Sequence, residues 1–179
     1  LDALFRRHGL YVNRVVRTQI HGGSLRLFIE KVERPDRSVN ELLAAEDREG
    51  MTTAEYFKEF ADRVQDLRSA LRRLLDDLID DGQRIVGYGA AAKACTLMSF
   101  VGIGDNYLDY IVDQNTFKQG RYMTGNHLPI KPVERIIADM PDYVLILPWN
   151  FSDEIIQQQA EYARRGGKFI VPIPTPEII

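Results

Sequence analysis

The residues best suited to chemistry lie in the run Ile85-Val86-Gly87-Tyr88-Gly89-Ala90-Ala91-Ala92-Lys93-Ala94. An apolar strand pattern meets a glycine-broken turn, and small residues then open a helix. Glycines let the backbone approach a ligand closely, and a helix start offers unpaired N–H groups and a positive dipole end to an anion. Lys93 falls about one turn into that helix and adds a full charge near the same anion. Asp113, 24 residues beyond Gly89, ends the next strand pattern close to where a ribose-binding acid would sit. Taken alone, the turn fits a nicotinamide dinucleotide. The lysine favours a diphosphate held at a site open to solvent. A tight strand-to-helix turn with a strand-end aspartate is the purely structural alternative.

Three further groups carry chemistry of their own. Residues 114–128 form a polar, glycine-broken connection in which Lys118 and Arg121 could neutralise a diphosphate, while His127, ahead of Leu-Pro-Ile, suits a structural contact better than catalysis. Trp149-Asn150 follows an apolar run directly, so an aromatic face and a paired hydrogen-bonding amide meet at a strand end, or a core tryptophan meets a helix-capping neighbour. His21-Gly22-Gly23-Ser24 joins an imidazole, a flexible backbone and a hydroxyl, which suits a hairpin turn or a group acting near neutral pH. No Gly-x-Ser-x-Gly elbow occurs, which removes a hydrolase triad built on that motif.

The elements that must position these residues read clearly. Leu1, Leu4 and Phe5 share a helical face that His8-Gly9 closes, and strand patterns at 10–18 and 25–31 flank the His21 connection. Ser38 with Glu41, and Thr52 with Glu55, have the spacing of capping boxes, the second ahead of a long amphipathic helix over 53–80. Beyond Asp81-Gly82, strands at 84–88, 108–113, 143–147 and 168–172 alternate with helices at 90–100, 132–139 and 152–164. That alternation predicts an α/β fold, with a Rossmann-like parallel sheet and flanking helices preceded by a β-hairpin and the long helix. The expected division is a hairpin segment over 1–35, a helical connector over 36–81 and an α/β domain over 82–179. Ligands of such sheets bind beyond the carboxyl ends of the strands. Gly87-Tyr88-Gly89, Asp113-Gln114-Asn115, Pro148-Trp149-Asn150 and Pro172-Ile173-Pro174 should therefore share one rim.

Composition narrows the partners. The 179 residues carry a net charge of −3, which argues against a nucleic-acid surface, and no apolar run reaches the length of a membrane span. Cys95 is the only cysteine, so the chain has neither an intrachain disulfide nor a cysteine-based metal cluster, and cytoplasm is the expected compartment. The sequon Asn150-Phe151-Ser152 is then incidental. The sequence opens at Leu1 inside an amphipathic pattern, as a piece of a longer protein would.

Taken together, Gly-Tyr-Gly-Ala-Ala-Ala-Lys-Ala, Val-Asp-Gln-Asn-Thr-Phe-Lys-Gln-Gly-Arg-Tyr, Pro-Trp-Asn-Phe and Gly-Gly-Lys-Phe-Ile-Val-Pro-Ile-Pro form a specific ordered set. The set resembles the C-terminal domain of the sugar C-methyltransferases of deoxysugar biosynthesis, and His-Gly-Gly-Ser-Leu-Arg resembles the end of their central domain. The resemblance implies a three-part enzyme with an N-terminal zinc domain, a central S-adenosylmethionine domain and this Rossmann-like domain, which helps to hold a nucleotide-linked sugar. The implied reaction methylates the sugar carbon beside a 4-keto group: a base removes the acidic proton, and the enolate attacks the methyl sulfonium. The main base, the methyl-donor site and the zinc site would lie upstream of Leu1. Carried over by match, Tyr88, Gly89, Ala90 and Lys93 form the nucleotide-sugar side, with Asp113, Lys118, Trp149 and Asn150 on the same rim. His21, as an auxiliary catalytic group, and Ser24 would face the cleft between domains. The run Tyr122-Met123-Thr124-Gly125-Asn126-His127 departs from the family, which places a proline before that glycine and a smaller residue at position 127. That departure implies a different base or sugar preference.

Three roles follow. The first is the substrate-binding portion of such a methyltransferase, unable to transfer methyl alone. The second is a NAD- or nucleotide-binding regulatory domain, and the third a noncatalytic assembly module using the 53–80 helix.

Overall fold

The computed structural model describes residues 1–20 and 23–179. The chain divides into two compact units, Leu1–Asp62 and Arg63–Ile179. Among the described residues no helix is long and apolar enough to cross a membrane.

The first unit contains helix α1 (Asp2–Arg7), strands β1 (Tyr11–Thr18) and β2 (Ser24–Glu30), and helix α2 (Arg37–Arg48). The strands pair antiparallel from Tyr11 opposite Glu30 to Thr18 opposite Ser24, with the register shifting between Val12 and Arg14. At that irregularity, buried Asn13 donates through Nδ2 to Glu30 Oε2 (2.7 Å) and the Val32 carbonyl (2.9 Å), and its Oδ1 accepts from the Arg34 amide (2.9 Å). One side-chain amide thus ties the hairpin to the segment that leads into α2. That helix is capped differently from the expectation at Ser38. Asp36 is the N-cap, accepting from the Ser38 amide at 2.9 Å. A carboxylate at the positive helix end is the stronger acceptor, and the Ser38 hydroxyl instead accepts from the Val15 amide at 2.9 Å. Glu41 pairs with Arg37 rather than closing a box.

The next helix, α3 (Ala54–Asp80), carries the division between the units within its length. Thr53, not Thr52, lies at its start, its Oγ1 accepting from the Tyr56 amide at 3.3 Å. The apolar stripe behaves differently at its two ends: Phe57 and Phe60 are exposed, whereas Leu71, Leu75 and Leu78 are buried.

The second unit is built on a six-stranded sheet of order β5-β4-β3-β6-β7-β8. Strands β3 (Ile85–Tyr88), β4 (Ile111–Val112), β5 (Ile130–Lys131), β6 (Tyr143–Ile146) and β7 (Lys168–Val171) are parallel, and β8 (Glu177–Ile178) pairs antiparallel with β7. Alternating strand residues feed two cores. Ile85, Tyr143 and Leu145 pack with Leu71, Leu75 and Leu78 of α3 and with α4 (Ala92–Val101). Val86, Tyr88, Val144 and Ile146 pack with Ile136 of α5 (Arg135–Asp139), Ile155 of α6 (Ser152–Gln158) and Tyr162 of α7 (Ala160–Arg164). Both faces are covered, which is why these strands read as continuous apolar runs.

Several expected elements differ in extent. The 108–113 strand pairs only at Ile111–Val112, and β5 and β8 are short strands that two-residue apolar patterns do not announce. The 152–164 helix is two helices separated at Gln159, preceded by a 3₁₀ turn at Trp149–Phe151.

Candidate functional site

Strands β4 and β5 extend from β3 on one side, and β6 and β7 on the other. The topological switch point therefore lies between β3 and β6, where open α/β sheets bind ligands. A cleft of about 310 Å³ opens there, with Tyr88, Gly89, Asp113, Pro148, Phe151 and Glu154 among its lining residues. Three of the four strand-end segments expected on one rim contribute to it. Pro172-Ile173-Pro174 does not, because β6 separates β7 from β3, and Ile173 packs against the core instead.

The glycine turn is shaped by the protein itself. Gly89 has φ +90°, and a Cβ there would lie 2.6 Å from Pro148 Cδ, so the close approach that needs glycine is to the first residue after Leu147. The Ala90 amide donates to Asp113 Oδ2 (2.8 Å), and Lys118 Nζ bridges the Ala90 carbonyl (2.8 Å) and the same carboxylate oxygen (3.1 Å). Asp113 Oδ1 accepts from the Asn115 amide at 2.8 Å. Asp113, buried, and Lys118 are thus a brace that fixes the turn and the start of the 114–128 connection. The acid has both oxygens engaged and is poorly disposed to take a ribose hydroxyl as well.

Lys93 stands apart from that brace. It lies in the first turn of α4, whose N-cap, Ala91, supplies no side-chain hydrogen bond. Its Nζ sits 4.5 Å from the centre of the Trp149 ring and 5.7 Å from that of Phe151. Burial lowers its pKa from the ordinary lysine value. The ammonium therefore rests on aromatic faces at the rim, with no carboxylate salt bridge among the described residues. Trp149 is half-buried against the core beside α4, and Asn150 Oδ1 is buried without a hydrogen-bond partner among the described residues.

Tyr88 is buried at the end of β3, and its Oη accepts from Gln114 Nε2 at 3.0 Å. Burial raises its phenol pKa. Gln114 and Pro148 line the cleft as members of the expected strand-end segments, whereas Phe151, Glu154 and Gln158 line it without having been expected there. Glu154 and Gln158 are one helical turn apart, and that spacing beside a strand-end tryptophan was the available signal. Arg121 is exposed. His127 adopts a left-handed φ of 57° in the turn where the Met123 amide donates to the Leu128 carbonyl at 2.8 Å, a structural position.

Ser24 belongs to the first unit, where its hydroxyl donates to the Ile20 carbonyl at 3.0 Å. His21 lies outside the described residues. No group of three or more His, Cys, Asp or Glu residues suited to a metal occurs among the described residues.

Comparison with known proteins gives a consistent result. Residues 19–174 match the family described as the C-methyltransferase C-terminal domain. The chain is also 37% identical, over 184 aligned positions, to C-methyltransferase NovU of Streptomyces niveus. That alignment covers 100% of this chain and 43% of NovU, so the chain spans less than half the length of this relative.

Proposed function

This chain belongs to the C-methyltransferase C-terminal domain family, and from that premise we propose that its second unit holds the nucleotide-linked keto-deoxysugar of a C-methyltransferase. One observation carries the reading. The strand-end segments after β3, β4 and β6 converge at the switch point, and the cation beside that cleft, Lys93, stands at an uncapped helix start without a carboxylate partner among the described residues. Such an ammonium and the free donors of a first helical turn are complementary to a diphosphate.

S-adenosylmethionine would supply the methyl group, but the donor set at this cleft does not fit it. A lysine ammonium and a positive helix end repel a sulfonium cation. The methyl-donor site, the main base and any zinc site belong, in this reading, to a further portion of the protein, and the chain alone does not transfer methyl. The hairpin segment over 1–35 is the end of the central domain, and the working compartment is the cytoplasm. The brace at Asp113 counts against the NAD reading, because the acid of the dinucleotide pattern has both oxygens engaged within the protein. Exposed Phe57 and Phe60 on α3 favour an assembly role as the second reading.

Titration calorimetry of the chain with dTDP, NAD and S-adenosylmethionine tests this. Binding of dTDP alone is expected. Binding of NAD alone would favour the regulatory reading, and no binding the assembly reading. Methyl transfer by the isolated chain would contradict the division of labour.

A further inference from the structure

Gln114, Gln158, Glu154 and Tyr88 form a hydrogen-bonded relay along the cleft whose direction is set by its end. A carboxylate only accepts, so Glu154 Oε1 takes the Gln158 amide group (2.9 Å). Gln158 must then present Oε1 to the next residue, and it accepts there from Gln114 Nε2 at 2.7 Å. Gln114 Nε2 also donates to Tyr88 Oη at 3.0 Å. Among the described residues two functions are left over, both on cleft-lining residues: the Tyr88 hydroxyl proton and the Gln114 Oε1 acceptor. Adjacent donor and acceptor match the amide-like edge of a nucleobase. Phe151 and Pro148 supply apolar walls suited to its planar face.

We infer that this relay reads the nucleobase, with Tyr88 donating to a ring carbonyl or nitrogen and Gln114 accepting from the neighbouring N–H. The inference rests on the nucleotide-sugar reading and deepens it. Phe151 lines the cleft and also lies beneath Lys93 Nζ at 5.7 Å, so one ring separates the base end from the phosphate end of a single nucleotide. Glu154 acts through Gln158 and Gln114 as a positioning residue. Replacing it with glutamine removes the obligate acceptor and frees both amides to reverse.

The test titrates the chain with dTDP, inorganic diphosphate, thymidine and a simple hexose. Tyr88→Phe, which keeps the ring, and Gln158→Ala should each weaken dTDP roughly five- to tenfold, the scale of one lost hydrogen bond. Inorganic diphosphate binding should stay unchanged in both. Lys93→Ala should weaken dTDP and diphosphate together, and thymidine should compete with dTDP for the wild-type chain. Wild-type affinity for dTDP in Tyr88→Phe and Gln158→Ala, with Lys93→Ala still impaired, would overturn the base assignment and leave the diphosphate reading standing. Competition by the hexose and not by thymidine would overturn it in favour of a sugar occupant. If the wild-type chain binds neither dTDP nor diphosphate, both readings fall.

Discussion

The two units achieve order by different means. In the first, Val12 and Val39 are the buried apolar residues among those described, while Leu1, Leu4, Leu25 and Phe28 are exposed. Its two-stranded sheet is held by the Asn13, Glu30 and Arg34 contacts. In the second, a sheet covered on both faces buries complete apolar runs, and polar contacts such as the Asp113 brace shape loops. A lone hairpin is marginal in water, whereas a covered sheet is self-sufficient. The first unit thus has the character of a surface awaiting cover, and the second that of a domain with its own core.

The largest effect expected from this contrast comes from Leu75→Ala. Leu75 is 0% exposed, and its truncation should cost about 2–5 kcal/mol. Amide exchange should rise throughout the second unit and little before Asp62. Equal loss of protection in both units would show that they unfold as one.

Asp113→Ala should cost about 1.5–3 kcal/mol, because it strips three donors of a charged acceptor. A thermal melt reads this without ligand. Unchanged stability with lost nucleotide binding would reverse its assignment from brace to ligand contact.

Asn13→Ala should destabilise the first unit by roughly 1–3 kcal/mol by leaving the Arg34 amide and Val32 carbonyl without their side-chain partner. Exchange at the Arg34 amide is the direct measurement, and no change there would mean that water replaces the tie.

The smallest effect is an acid-dependent one. Arg34, followed by Asn13, holds the Glu30 carboxyl down at about 2 from its ordinary 4.5. A depressed carboxyl contributes its stability above 4.5 and loses it as pH falls towards 2. The tie between β2 and residues 30–34 should therefore loosen across that window. A Glu30 carboxyl titrating by NMR near 4.5 would show that the tie does not persist in solution.

Much of this was legible in the residues. The strand-helix alternation after Gly82 announced a parallel sheet, because burial on both faces leaves apolar runs that a single sequence displays directly. The site was less legible. Gly89 and Asp113 have the spacing of a ligand-binding fingerprint, yet their partners are Pro148, Ala90 and Lys118, and proximity across strands leaves no mark on spacing along one chain. Caps were legible only to within two residues, since Asp36, Ser38, Thr52 and Thr53 all have the required chemistry and the local path of the backbone chooses among them.

By itself the sequence determined the α/β class, the long amphipathic helix, the family motifs and the lysine at the helix start, because periodicity and residue type act locally. Tertiary structure alone decided that Asp113 and Lys118 brace the turn, that Lys93 rests on Trp149 and Phe151, and that Gln114 and Gln158 meet across the cleft. Each depends on strand order, which brings distant residues within hydrogen-bonding reach.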